Sequence, residues 1–325
     1  MRTIIFTLVD PSCVATEIEY MNISRRTMLA QLAGGAAAMA FPFPAFADPF
    51  TDAPTAEDAA RLRAWAVALR SVGMNRHSMP LGPRAIKVGE LAIGTRYVPN
   101  TLEAYIKAGG DPAGNEPVIV SLTEFDCVTL VESCLAVARA SDEKTPPTWD
   151  RFSREVERMR YRHGKREGYA SRLHYFSEWI SDGESRGLVH DLAAELGGVV
   201  DSRPLRFMTE HRSSYPALAT DSVFKEIGEM EKRLDSHKRY YIPTDKIESV
   251  SDRIQSGDVL AFATAIPGID VTHAAFAYRG NDGILRVLHA PLSGGVVEIT
   301  RVTLPEYVAR IKRSTGILIA RPLSA

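Results

Sequence analysis

A buried helix with a cysteine in its first turn is the feature that most constrains this chain. Apolar residues recur at close to a 3.6-residue period between Val128 and Ala138, which is typical of a helix inside a protein. Asp126 is a good N-cap, because its side-chain oxygen can accept a free amide proton of the first turn. The pattern therefore predicts a core helix that begins at Cys127, against which the other elements must pack.

The position of Cys127 indicates a nucleophile. Beside the positive end of a helix dipole, the thiolate is stabilised relative to the thiol, which makes the sulfur more reactive at neutral pH. A small buried core residue is the alternative and the commoner role of a cysteine in an apolar run. Cys134 fits that alternative well. The Cα atoms of the two cysteines would lie about 10.5 Å apart along one helix, too far for a disulfide, so we expect both to stay reduced.

The first 47 residues have the pattern of an export signal rather than of a folded domain. Residues 24–29 contain an arginine pair typical of twin-arginine signals, 30–46 are apolar, and 45–47 have the small-residue pattern of a cleavage site. The apolar run is too short to span a bilayer stably, so no membrane anchor is expected. We expect export through the Tat translocon and a periplasmic or otherwise exported location. A methionine before the arginine pair leaves open that residues 1–20 are a mis-assigned start.

Residues 48–325 have the pattern of one globular domain. The whole chain has 39 basic and 40 acidic residues and is 45% hydrophobic, so its charge gives no general attraction to nucleic acid. It has no Gly-rich phosphate loop and no basic patch interleaved with aromatic residues. Its histidines and acids form no compact cluster with metal-ligand spacing. We therefore expect no nucleic-acid partner, no metal and no cofactor.

Helical patterns dominate the first part of this domain and strand patterns the last part. Residues 148–245 are mixed, and we predict a largely helical insertion there. Gly-rich turns separate the last strands, which should pair as antiparallel hairpins. The predicted fold class is α+β, with the Cys127 helix packed on a C-terminal antiparallel sheet. Helices are predicted at 56–72, 86–91, 149–159, 169–180 and 221–236, and strands at 259–263, 271–278, 285–289, 296–300 and 316–320.

Two histidines in the predicted strands are candidates for the base that a cysteine nucleophile needs. His273 and His289 both lie in apolar strands, where a hydrogen-bonded core histidine is the commoner role. A two-residue turn at 281–282 would put the two imidazoles on opposite faces of the sheet, whereas a loop of odd length would put them on one face. A catalytic pair therefore requires an odd loop around 280–283.

Several segments resemble one known family. The stretch Phe125–Glu132 is similar to the Asp-Cys-Val-Thr-Phe-Val-Glu signature of the N-acetylmuramoyl-L-alanine amidase-like family (DUF1460), a branch of the NlpC/P60 cysteine peptidases with a papain-like fold. Arg96 stands where that family has proline, and Pro291 where a small polar residue is usual. The other similar segments are Gly94–Tyr97, Arg160–Gly164, Gly168–Ile180, Ser256–Phe262, Val271–His273 and Leu288–Ala290.

The resemblance implies a cysteine hydrolase of the cell wall. It makes Cys127 the nucleophile, His273 the base and His289 the residue that orients the base. Tyr97 matches a tyrosine that lines the site near the oxyanion, where the Cys127 backbone amide also contributes, and Asp126 lies beside them.

The resemblance also implies a substrate class and three residues around the substrate, namely Arg172, His174 and Trp179. Peptidoglycan or muropeptides would be the substrate, and the family name favours the amide between N-acetylmuramic acid and L-alanine. Two alternatives stay open. One is an endopeptidase that cleaves between γ-D-glutamate and the diamino acid, and the other is a non-catalytic module that binds the cell wall.

Overall fold

The computed structural model describes residues 52–74, 79–141, 146–292 and 295–324. The predicted export signal, residues 1–47, lies outside these ranges and stays a prediction. Within the ranges, no helix is both long and apolar enough to cross a membrane.

The helices predicted at 56–72, 149–159 and 221–236 and the Cys127 helix begin at their predicted first residues, and the helix predicted at 86–91 begins earlier, at Leu81. The helix predicted at 169–180 is an exception, because residues 169–171 form a 3-10 turn and the α-helix begins only at Phe176. The α-helices are α1 (Ala56–Ser71), α2 (Leu81–Ala92), α3 (Ala104–Lys107), α4 (Cys127–Ala140), α5 (Trp149–Arg160), α6 (Phe176–Ser185), α7 (Phe207–Glu210), α8 (Asp221–Asp235), α9 (Ile247–Val250) and α10 (Leu304–Arg310).

The described strands form one large antiparallel sheet and one short parallel pair. The large sheet has the order β4-β5-β10-β6-β7-β8-β9, and β3 also pairs with β10. β1 and β2 form the parallel pair. The predicted strand at 296–300 is shorter than expected. The strands are β1 (Arg96–Tyr97), β2 (Glu124–Phe125), β3 (Val189–Asp191), β4 (Val199–Asp201), β5 (Arg239–Pro243), β6 (Val259–Thr264), β7 (Val271–Arg279), β8 (Leu285–His289), β9 (Glu298–Ile299) and β10 (Ser314–Pro322).

The stretch 148–245 contributes strands to the large sheet, which a purely helical insertion would not do. It holds α5, α6 and α8 but also supplies β3, β4 and β5. β3 and β5 pair directly with the C-terminal strand β10. The prediction of a largely helical insertion is therefore incomplete, because strands of three to five residues are too short to show a clear alternating pattern.

Helix α4, which begins at the predicted nucleophile Cys127, is buried on all sides. Every residue from Thr129 to Ala140 is buried, and the helix contacts α2, α5 and β7. Its one buried carboxylate, Glu132, pairs with Arg160 of α5 at 2.8 Å. The predicted α+β layout, with this helix packed on the antiparallel sheet, is confirmed.

The β7–β8 hairpin has an odd loop, as a catalytic histidine pair requires. Arg279 pairs with Leu285, which leaves the five residues 280–284 between the strands. Continuing this register places His289 opposite Ala275, one pair along from His273. Because side chains alternate along a strand, both imidazoles lie on the same face.

Candidate active site

The start of α4 holds Cys127 in a fixed position. Asp126 Oδ1 accepts hydrogen bonds from the backbone amides of Val128 (3.1 Å) and Thr129 (2.8 Å). The Thr129 hydroxyl in return accepts from the Asp126 amide at 2.9 Å, which completes a capping box. The predicted N-cap and the predicted helix start at the cysteine are both confirmed.

The surroundings of Cys127 favour the thiol over the thiolate. The residue is only 1% exposed, and burial raises the pKa of its thiol well above the ordinary value, with a further increase from the Asp126 carboxylate. Backbone amides of Ala274 and Val128 act in the opposite direction. The helix dipole alone therefore does not produce a thiolate here, contrary to the sequence-based expectation, because desolvation outweighs it. A catalytic Cys127 needs a base.

His273 lies beside the nucleophile and is hydrogen bonded to His289. The Ala274 amide that donates to the Cys127 sulfur directly follows His273 along β7. His273 Nε2 lies 2.8 Å from His289 Nδ1, and both rings are buried. The structure thus places the predicted base and orienting residue in contact, and it places the predicted nucleophile against the residue that follows the base.

His289 is kept neutral by its surroundings. Burial lowers its pKa well below the ordinary value, and the neighbouring His273 lowers it further. A neutral imidazole has one N–H donor and one acceptor nitrogen, so it can fix the proton position on its hydrogen-bonded neighbour. This is the role that the resemblance assigns to His289.

Three residues that sequence reasoning missed complete the surroundings of the histidine pair. Phe262 of β6 stacks on His273 with ring centroids 5.6 Å apart. The hydroxyl of Tyr307 on α10 lies 3.3 Å from His289 Nδ1. Glu298 pairs with His289 across β8 and β9. Strand spacing could have suggested Glu298, but no sequence pattern places α10 against His289.

Tyr97 lies next to the start of the nucleophile helix. In the parallel pair β1–β2, Tyr97 is opposite Phe125, two residues before Cys127. Its backbone amide donates to the Gly295 carbonyl at 2.8 Å, which connects it to the segment between β8 and β9. This placement agrees with a residue that lines the site.

Arg172 lies in a buried ion cluster rather than on an open surface. Its guanidinium pairs with the carboxylates of Glu103 (2.9 Å) and Glu116, and donates to the Leu102 carbonyl at 2.9 Å. Burial alone would lower the pKa of Arg172, but the two carboxylates raise it overall. Through these contacts, the Arg172 side chain holds residues 102–116 in place.

His174 and Trp179 also have partners within the protein. His174 Nε2 lies 2.9 Å from the Tyr169 carbonyl oxygen, and burial, followed by the charge of Arg172, lowers the pKa of His174 to about 3. Trp179 is 3% exposed and stacks on Phe176 with centroids 5.0 Å apart. Their predicted contact with substrate stays a prediction. In the described ranges, no group of three or more His, Cys, Asp or Glu side chains is arranged to hold a metal ion.

Solved structures with similar folds include two from Bacteroides. An N-acetylmuramoyl-L-alanine amidase from Bacteroides uniformis is 28% identical, with a TM-score of 0.67 over 74% of this chain and 98% of that chain. A protein of Bacteroides fragilis proposed to be a xylanase is 32% identical, with a TM-score of 0.65 over 72% of this chain and 99% of that chain. A Legionella pneumophila protein described as DUF1460 is 20% identical, with a TM-score of 0.59 over 82% and 95% of the chains, and shares the fold.

The family comparison covers the whole candidate site. No curated protein sequence matches the chain. The model of the AmiA-like family, described as N-acetylmuramoyl-L-alanine amidase-like, matches residues 87–317. This range contains Tyr97, Cys127, His273 and His289, as well as the β7–β8 hairpin that carries the histidines. The chain therefore belongs to the N-acetylmuramoyl-L-alanine amidase-like family.

Proposed function

We propose that the protein is an exported cysteine amidase that hydrolyses the amide between N-acetylmuramic acid and L-alanine in peptidoglycan or muropeptides. One observation carries the proposal: the buried 2.8 Å hydrogen bond between His273 and His289 beside the capped start of the Cys127 helix. Membership of an amidase-like family supports amide hydrolysis and a peptidoglycan-type substrate. The NlpC/P60 grouping and a papain-like site are part of the proposal.

The proposed reaction proceeds through a thioester. His273 accepts the Cys127 proton, and the sulfur attacks the carbonyl carbon of the lactyl group of N-acetylmuramic acid. The Cys127 backbone amide and Tyr97 stabilise the negative oxygen of the tetrahedral intermediate. His273 then donates its proton to the nitrogen of L-alanine, which leaves as an amine. A water molecule, deprotonated by His273, attacks the thioester and releases the carboxylate and the thiol.

The raised pKa of Cys127 fits this order of steps. Since the buried sulfur rests as a thiol, the proton must move to His273 as the substrate arrives, rather than being lost beforehand to solvent. Phe262 and the interior of the sheet shield the histidine pair. A neutral His289 holds the proton on the side of His273 that faces away from the nucleophile.

A single muropeptide distinguishes the two candidate bonds. We would incubate the protein with an N-acetylmuramoyl tripeptide of L-alanine, γ-D-glutamate and diaminopimelate, and identify the products by mass spectrometry. The amidase releases N-acetylmuramic acid and an intact tripeptide. The alternative endopeptidase releases diaminopimelate instead. Xylan is a useful control polymer, because one similar structure is proposed to be a xylanase.

Replacing the nucleophile tests the chemistry directly. Cys127→Ala should abolish turnover, at least about 10³-fold, because no other thiol can form the thioester. Cys134→Ala is the matched control, since Cys134 lies on the same helix in apolar surroundings and is buried without a proposed role. Persistent hydrolysis by folded Cys127→Ala would reject the cysteine mechanism.

One observation favours the non-catalytic alternative. The 1% exposure of Cys127 and its raised pKa would suit a core cysteine in a module that only binds the cell wall. Such a module would sediment with purified peptidoglycan without releasing soluble fragments.

Export is proposed from residues 1–47. Twin-arginine signals depend on their arginine pair, so changing both Arg25 and Arg26 to lysine should hold the protein in the cytoplasm. Cell fractionation measures this, and an unchanged periplasmic fraction would argue against the Tat route.

A further inference from the structure

The second ring nitrogen of His289 faces a carboxylate. While His289 Nδ1 lies 2.8 Å from His273, His289 Nε2 lies 3.8 Å from Glu298 Oε1. The two residues are directly paired across β8 and β9. Within the described ranges, His289 Nε2 is buried and has no hydrogen-bond partner. Since buried polar groups are normally satisfied, a nearby acceptor that reaches this nitrogen stabilises the site.

The contact between His289 Nε2 and Glu298 matters because it determines where the protons of the histidine pair lie. His273 can accept the Cys127 proton only when His273 Nδ1 carries a lone pair. Its Nε2 then carries the proton and donates it to His289 Nδ1, so the proton of His289 must sit on Nε2. That N–H is the one beside Glu298. An ionised carboxylate is purely an acceptor, so Glu298 favours the one tautomer of His289 that leaves His273 basic.

We propose that Glu298 is a positioning residue that holds His289 in its Nε2–H tautomer. The proposal rests on the proposed function, because it takes His273 as the base. A distance of 3.8 Å is longer than a hydrogen bond. However, the Glu298 side chain is 48% exposed, so rotation about its own bonds can close the gap. Closure is favoured most when His273 is protonated, because positive charge then spreads along the pair towards the carboxylate.

Two other polar side chains that the structure describes beside His289 approach its Nδ1 rather than its Nε2. Tyr307 approaches from α10, but its hydroxyl lies 3.3 Å from Nδ1, the nitrogen that also faces His273. His273 itself approaches from β7 on that same side. Glu298 on β9 is therefore the acceptor placed for the opposite nitrogen.

Nitrogen-15 NMR of the imidazole rings reads the tautomer without any substrate. In the purified wild-type protein, we expect His289 to carry its proton on Nε2. Glu298→Gln keeps an acceptor oxygen and should preserve this tautomer. Glu298→Ala removes the acceptor and should populate the Nδ1–H form. Glu226→Ala, at an exposed glutamate on α8, is the matched control and should leave the spectrum unchanged.

Activity on the N-acetylmuramoyl tripeptide provides the second readout. Glu298→Ala should lower kcat roughly tenfold, by analogy with the loss of a carboxylate partner from a metal-bound histidine, with KM changed by less than about twofold. Glu298→Gln should recover most of kcat. A loss confined to KM would indicate substrate contact instead and overturn the positioning role.

Two results would overturn the proposal: a wild-type tautomer and kcat in Glu298→Ala, or equal losses in Glu298→Gln and Glu298→Ala. Failure of the proposed function looks different. In that case the wild type does not hydrolyse the tripeptide, while the NMR comparison still decides whether Glu298 holds the tautomer.

Discussion

At the scale of single residues, burial dominates the chemistry of Cys127. Its sulfur is next to Asp126, whose carboxylate caps the helix and also raises the pKa of the thiol. The same side chain therefore stabilises the helix start and opposes ionisation of the nucleophile. In the proposed mechanism, transfer of the proton to His273, rather than loss to solvent, resolves this conflict.

Asp126→Asn separates the two effects of the cap. Asparagine is as good an N-cap as aspartate, so we expect a free energy of unfolding within about 0.5 kcal/mol of wild type. Removal of the negative charge should lower the pKa of Cys127. The pH dependence of alkylation by iodoacetamide measures this, and Asp126→Ala, which also loses the cap at about 1 kcal/mol, is the comparison. An unchanged or higher pKa in Asp126→Asn would contradict the assignment.

At the scale of elements, α4 is held by an ion pair as well as by apolar packing. Glu132 is buried in the middle of α4 and pairs with the buried Arg160 of α5, which also donates to the Ile119 carbonyl. Burial raises the pKa of Glu132, and Arg160 opposes that increase. The pair joins the nucleophile helix to its neighbour and to the segment that leads into it.

Breaking this pair should destabilise the protein strongly. Glu132→Ala leaves the Arg160 charge buried without its partner, which we expect to cost about 3–5 kcal/mol. The double change Glu132→Met and Arg160→Met removes both charges and should be less destabilising than Glu132→Ala. Urea unfolding followed by circular dichroism measures both. A loss below about 1 kcal/mol for Glu132→Ala would show that the pair contributes little.

At the scale of the whole molecule, two long-range connections assemble the site. The C-terminal strand β10 lies between β5 and β6 and also pairs with β3. It therefore joins strands from the stretch 148–245 to the part of the sheet that contains the β7–β8 hairpin with His273 and His289. The cluster of Arg172, Glu103 and Glu116 joins the segment before α4 to the segment before α6. Both connections link residues that are distant in sequence.

The position of Arg172 predicts a structural effect on mutation. Arg172→Met should destabilise the fold by about 3–5 kcal/mol, because two buried carboxylates lose their partner. Its activity should fall in proportion to the folded fraction, with KM unchanged in the protein that remains folded. Thermal unfolding and steady-state kinetics at low temperature distinguish this from substrate binding, which would raise KM without a loss of stability.

A histidine whose pKa is lowered in the folded protein should make that protein less stable in acid. Burial lowers the pKa of His174 to about 3, with a second contribution from Arg172, so the unfolded chain takes up this proton near pH 6.5 and the folded protein does not. The free energy of unfolding should fall as the pH drops below about 6.5, by up to about 1.4 kcal/mol per pH unit for each such group. Urea unfolding between about pH 7.5 and 5 measures the slope. His174→Gln should reduce this slope by up to about 1.4 kcal/mol per pH unit, the contribution of one proton. Equal slopes in the variant and the wild type would contradict the prediction.

The sequence by itself determined the local features of this protein. Helix α4, its cap at Asp126 and the strands that carry His273 and His289 follow from spacing and short-range hydrogen bonding, which neighbouring residues control. The requirement for an odd hairpin loop followed from the alternation of strand side chains. Tertiary structure decided the direction of the Cys127 pKa, the burial of Arg172 and the contacts of His289 with Tyr307 and Glu298. The desolvation of Cys127 and the contacts of Arg172 and His289 depend on segments that are remote in sequence. No local sequence pattern can therefore predict them.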